Sequence, residues 1–203
     1  MLFRKNQIYL IIFILAFFRL SLAIAEETLP QNTVERILSS IINLKTEKQL
    51  SPNEIKKNDI LANRALALLD MREISLKALG KYWKKRSLAE QKTFINLLSR
   101  MFLKEAFPSS GKFFSNLELT YGQTSINKSK AIVPLLVIHK KEGEVSVNFH
   151  LNNDSGQWRL VDVDLDEISM RNNLRSQFYK VISKNDYQGL VHRMKKKLAD
   201  IQS

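Results

Sequence analysis

The period of the apolar positions divides the chain into a helical part, a stranded part and a second helical part. Glu27 to Ser51 reads as a helix, because Val34, Ile37, Leu38, Ile41, Ile42 and Leu44 recur at the spacing that lines one helical face. Ser51 and Pro52 then supply the cap and first position of a second helix, with Ile55, Ile60, Leu61, Leu66, Leu68 and Leu69 as its apolar members. A short third helix, Ile74 to Lys85, places Leu76, Leu79, Tyr82 and Trp83 on one side. Ser87-Leu88-Ala89-Glu90 spells a capping box, which satisfies two free backbone donors at a helix start. The helix it opens runs from Leu88 to about Phe107 along a stripe of Phe94, Leu97, Leu98, Met101, Phe102 and Ala106, and Pro108-Ser109-Ser110-Gly111 is expected to end it.

From there the period becomes two. Leu117, Leu119 and Tyr121 alternate with polar residues, Ala131 to Ile138 is a run rich in β-branched residues, and two more alternations follow: Val145, Val147, Phe149, Leu151, then Arg159, Val161, Val163, Leu165. Gly122, Lys141-Glu142-Gly143 and Asn152 to Gly156 supply turn residues between them, so about four strands are expected in an antiparallel meander. Helix returns from Ser169 or Met170 to Ile182 and again from Asp186 to Ile201, the last with Leu190, Val191, Met194 and Leu198 inward. Helices packed on one side of a twisted antiparallel sheet make an α+β domain.

The first residues change the picture of compartment. Arg4 and Lys5, the apolar run Ile8 to Phe18 and the small-x-small site Ala23-Ile24-Ala25 read as a cleaved signal peptide over residues 1–25. A membrane anchor is the competing reading, but a spanning helix needs about 20 apolar residues and Arg19 interrupts this run. Residues 26–203 are then the single folded domain, exported from the cytoplasm. Cysteine is absent, which excludes disulfides, thiolate chemistry and cysteine metal sites. Losing Arg4, Lys5 and Arg19 with the leader lowers the formal charge from +12 to +9, still basic. For an exported protein that excess points to an anionic membrane surface or an acidic protein partner rather than to nucleic acid.

Candidate chemistry is sparse. His139, His150 and His192 have no metal-site spacing, and neither a G-x-S-x-G elbow nor a glycine-rich phosphate loop occurs. Asp162, Asp164, Asp166 and Glu167 form the dense carboxylate group, but Asp162 and Asp164 alternate with Val161, Val163 and Leu165 and so belong on a solvated strand face. The apolar interior is more informative. Val133, Leu135, Val137, Val145, Val147, Phe149, Leu151, Val161 and Val163 should face inward from the strands, opposed by Tyr82, Trp83, Phe94, Leu98, Met101 and Phe102. Periodicity alone leaves open whether they fill a core or line a ligand cavity.

Two segments carry a resemblance. Leu79-Gly80-Lys81-Tyr82-Trp83, followed by Glu90-Gln91, Phe94 and Leu97-Leu98, is similar to the LG-x-YW, EQ-x-x-F and LL signature of MlaC-type proteins. Trp158 to Val163, Ile168-Ser169-Met170 and Asn173-Leu174-Arg175-Ser176-Gln177-Phe178 resemble that family's W-x-V-x-DV, V-S-L and N-Y-R-S-Q-F stretch, and Gly189-Leu190 fits its C-terminal helix. Glu167 stands where the family has glycine, Leu174 where it has tyrosine, and Phe107-Pro108 where it tends to have tyrosine and a longer helix end.

The resemblance implies an NTF2-like fold enclosing an apolar cavity for phospholipid acyl chains, and no cofactor. It implies a periplasmic carrier that moves phospholipid between the two membranes with an inner-membrane Mla-type ABC transporter and an outer-membrane lipoprotein complex. Its lipid-binding wall would comprise Leu79, Tyr82, Trp83, Phe94, Leu98, Met101 and Phe102, the strand residues Val133, Leu135, Val137, Val147, Phe149 and Val163, and Met170 and Phe178. Ser169, Arg175 and Gln177 would fix the strand-to-helix junction, with Lys81, Lys84, Lys85 and Arg86 as a docking cluster or a solvated face. A non-catalytic partner-binding module, a carrier of other lipids such as hopanoids, and an enzyme using Asp162 to Glu167 are the competing readings.

Overall fold

The computed structural model describes residues 29–139 and 143–201. The expected leader, residues 1–25, lies outside the described residues. Among the described residues five α-helices precede the sheet, α1 (Pro30–Ile42), α2 (Pro52–Ala67), α3 (Met71–Leu79), α4 (Leu88–Met101) and α5 (Phe107–Phe114), and α6 (Met170–Asp200) follows it, broken by non-helical backbone at Asn185 and Asp186 into the two helices expected there. The strands are β1 (Glu118–Tyr121), β2 (Ser125–Asn127), β3 (Lys130–His139), β4 (Gly143–Asn152), β5 (Arg159–Leu165) and β6 (Ile168–Ser169).

Local chemistry explains most of the boundaries. α1 starts at Pro30, later than Glu27, and buries Val34, Ile37, Leu38 and Ile41. Ser51 and Glu54 form a capping box at α2, and Ser87 and Glu90 form the expected one at α4, with Glu90 N–H donating to Ser87 Oγ at 3.2 Å and Ser87 N–H to the Glu90 carboxylate at 2.9 Å. α2 departs from its expected stripe: Ile55 and Ile60 are exposed, and the helix buries Ala62 and Ala65 instead. Small residues let its backbone approach the core closely. The expected helix Ile74 to Lys85 divides at Gly80 into α3 and a 3-10 turn, Gly80–Lys85.

The helix expected to end at Pro108 does not stop there. A π turn, Phe102–Ala106, joins α4 to α5, and Phe107 N–H donates to the Phe102 carbonyl five residues back. Pro108 then falls in the first turn of α5, directly after the wider π turn, where its fixed φ suits the helix. Gly111 is a packing residue and not a stop, because a Cβ there would overlap the Ile41 carbonyl of α1.

The sheet has six strands rather than four, in the order β1-β3-β4-β5-β6, with β2 also paired to β3 and every pairing antiparallel. β1 and β2 occupy one edge lane broken at residues 122–124. The cause is Pro134 in β3: its carbonyl accepts from Gly122 N–H at 2.9 Å, so on that same side it has no N–H to return. Register places Leu119, Tyr121, Val133, Leu135, Val137, Val145, Val147, Phe149, Val163 and Leu165 on one face. α1, α3 and the start of α6 pack on that layer through β3 and β5, and its centre is fully buried. A bulge between His150 and Leu151 sets Leu160 opposite Leu151, so Leu160 is the buried inward residue at that end and Val161 is the unpaired extra one.

Candidate functional site

Most residues expected to face inward are buried together, Val161 excepted because the bulge leaves it unpaired. Val133, Leu135, Val137, Val147 and Phe149 from the sheet, and Leu79, Trp83, Phe94, Leu98 and Phe178 from the helices, are all buried. Phe94 of α4 and Phe178 of α6 meet edge to face at 5.6 Å between centroids, the arrangement the ring quadrupoles favour. This cluster ties the two helices together over the sheet.

Burial falls off at its border. Val163 and Leu165 pair across strands with buried Phe149 and Val147, yet both remain half-exposed. Tyr82, Met101 and Phe102 also pack against the buried cluster while reaching solvent, as do Leu174 and Val181 of α6. Met170, at the first position of α6, is half-exposed too. The wall is therefore apolar in its interior and accessible at its rim, and its methionines can adapt their shape to what they touch.

The glycine of the Leu79-Gly80 motif has a steric cause. Gly80 sits at φ 48°, and a Cβ there would strike the Tyr179 hydroxyl. That hydroxyl accepts from Lys81 N–H at 2.8 Å, and the Tyr179 ring meets Tyr82 edge to face at 5.0 Å. Tyr187 makes a parallel tie: its hydroxyl donates to the Glu90 carbonyl at 3.0 Å and the Arg86 guanidinium lies over its ring. Burial, and then the nearby Glu90 charge, hold the Tyr187 phenol above its usual pKa against the pull of Arg86. On the sheet, burial and the Glu35 charge push Tyr121 up to about 12. Sequence reasoning passed over Tyr179 and Tyr187, which sit in a helix whose polar positions give no sign of distant partners.

The carboxylate group corrects one expectation. Asp162 does point to the outer face, paired with His150, but it is buried and not solvated. Val163 N–H and Arg171 N–H donate to its Oδ1 at 2.9 and 3.0 Å, Ser169 Oγ donates to Oδ2 at 2.6 Å, and the Arg171 guanidinium lies 3.2 Å from Oδ2. Ser169 also accepts from Asn172 N–H at 3.0 Å as the cap of α6, so one carboxylate and one hydroxyl lock strand to helix. Arg171, not singled out in the sequence, is the arginine of this junction. Arg175 bonds Asn172 and Gln177 bonds Asn173, each within α6. Asp164 pairs with His150 at 2.7 Å. Asp166 and Glu167 turn the chain between β5 and β6 at φ 45° and 68°, a left-handed pair for which the family's glycine would be the relaxed choice. Among the described residues no three His, Asp or Glu side chains gather closely enough to hold a metal ion.

Comparison with known proteins follows the same lines. The MlaC protein family matches residues 31–196. A solved structure of a phospholipid-binding protein from Ralstonia solanacearum, in complex with a phospholipid, is similar in fold, with a TM-score of 0.67, 16% identity, and 85% of this chain and 96% of that one covered. An NTF2-like transpeptidase from Campylobacter jejuni covers 54% of this chain and 97% of its own at 18% identity, but its TM-score of 0.28 is too low to equate the folds. Among curated proteins none matches the chain.

Proposed function

Because the chain belongs to the MlaC family, we propose that it is a phospholipid carrier of the periplasm, holding acyl chains between the sheet and the helices. The observation that carries this reading is the likeness in fold, over most of both chains, to a protein that holds a phospholipid. An apolar interior with an accessible rim supports this reading. Moving an acyl chain from water onto dry apolar surface is favourable by about 0.8 kcal/mol per methylene, and in this reading the chains enter along the half-exposed rim of Val163, Leu165 and Leu174. The headgroup stays at the wet mouth, where Lys or Arg can meet its phosphate. Within that reading the leader delivers the chain to the periplasm. There it exchanges lipid with an inner-membrane Mla-type ABC transporter and an outer-membrane lipoprotein complex, maintaining the lipid asymmetry of the outer membrane.

Substitution inside the wall tests the assignment. Leu98→Asp or Val147→Asp places an unpaired charge among buried apolar groups and should abolish uptake of labelled phospholipid from vesicles. Val163→Trp, at the half-exposed rim where folding is less at risk, should also reduce it. Unaltered uptake by all three, with circular dichroism showing them folded, would refute this wall.

A further inference from the structure

Leu88 is 77% exposed, more than any other large apolar side chain among the described residues. The start of α4 does not require it there, since Ser87 and Glu90 alone complete the cap. Around it the charge is one-sided. Lys84 and Lys85 are exposed just before it, and exposed Lys92 lies one turn later on the same helix face. Lys81 projects over the rings of Tyr82 and Tyr179 at 5.3 and 5.2 Å. Exposed Lys180 and Lys184 lie on α6 between Tyr179 and Tyr187, the two residues that touch this region.

The nearby acids are already engaged. Glu90 caps Ser87 and pairs with Arg86 at 3.3 Å, and Asp186 accepts from Gly189 N–H at 2.9 Å. Among the described residues Lys81, Lys84, Lys85 and Lys92 have no carboxylate partner.

We propose that this basic ring with its protruding leucine is a docking surface for an anionic phospholipid bilayer; the proposal rests on the carrier reading and says how the protein meets a membrane. Three features favour a bilayer over an acidic protein. Lysine is depleted in protein interfaces, while ammonium groups suit a diffuse layer of phosphates. The arginine fork that recognises single carboxylates is here already held by Glu90. An apolar tip inside a basic ring enters the headgroup layer while its lysines stay at the phosphates.

The test is flotation of the protein, purified after expression of the full chain, with vesicles of phosphatidylcholine alone or mixed with phosphatidylglycerol. Binding should require phosphatidylglycerol and weaken with salt. Combined Lys84→Gln, Lys85→Gln and Lys92→Gln should weaken it about a hundredfold, at about fivefold per lysine. Leu88→Ser should weaken it about three- to tenfold. Both variants change exposed side chains only, so their melting should match the parent, and phospholipid extracted from unbound protein should be undiminished. Equal binding to both vesicles, no binding, or binding untouched by the lysine changes would overturn the proposal; the last two leave an acidic protein as the partner of these lysines. Vesicle binding lost with cargo retained separates this surface from the carrier reading, and missing cargo in the parent counts against that reading alone.

Discussion

Replacing Asp162 with alanine tests whether strand and helix are locked as described. The carboxylate is 4% exposed, and its removal leaves two backbone N–H groups, the Ser169 hydroxyl and the Arg171 guanidinium without their acceptor. Each buried donor left unmade costs about 1–3 kcal/mol, and breaking a buried ion pair by removing one partner costs about 3–5 kcal/mol. These losses share one group and do not add. Water can reach Arg171, 24% exposed, and relieve part of them, so the whole effect should be about 3–5 kcal/mol. Urea unfolding followed by circular dichroism reads it directly: at about 2 kcal/mol per molar for a domain of this size, the midpoint should fall by roughly 1.5–2.5 M. Asp162→Asn keeps an acceptor for the backbone donors and should lose about half as much. A midpoint for Asp162→Ala within about 0.5 M of the parent would refute the buried junction.

Other substitutions probe single features. Glu167→Gly relieves a left-handed residue that costs about 1–2 kcal/mol, against about 0.5–1 kcal/mol of added chain entropy, so it should raise stability by about 0.5–1 kcal/mol, read as a higher melting temperature. Gly111→Ala should destabilise by about 1–3 kcal/mol in urea, since its Cβ meets backbone that cannot turn aside. Glu54 and Glu90 are held below 4.5, first by the backbone N–H groups of Ser51 and Ser87. Their folded values lie below the unfolded one, so the stability they supply is whole above pH 4.5 and is lost as pH falls through the folded values. Urea midpoints should drop less between pH 6 and pH 3 in the doubly substituted Glu54→Gln, Glu90→Gln protein than in the parent, as ~pH 5 and below is where such carboxylates protonate.

What the sequence made legible follows from how each feature is encoded. Three of the four longer strands alternate over several residues, so their inner face could be read, β3 being apolar at every position from Ala131 to Ile138, and the stripe of α4 supplied buried residues of the same core. β2 is exposed at all three positions and β6 has two residues, so neither leaves a period to detect. Pro108 and Gly111 mimic a helix stop, and only the π turn and the contact with Ile41 explain why the helix runs on. Asp162 shows the limit of alternation. Its face was read correctly, but its burial depends on Ser169 and Arg171 folding back over it. Tyr179 and Tyr187 are long-range partners that periodicity does not encode, and the half-exposed rim depends on how the helices sit over β5.

Carriage of phospholipid by this protein can be read without any substitution. Its most direct test is native mass spectrometry with organic extraction, on protein purified without detergent from a Gram-negative periplasm. A stoichiometric phospholipid adduct is expected; a protein that arrives empty and takes up no lipid from vesicles would refute the carrier reading.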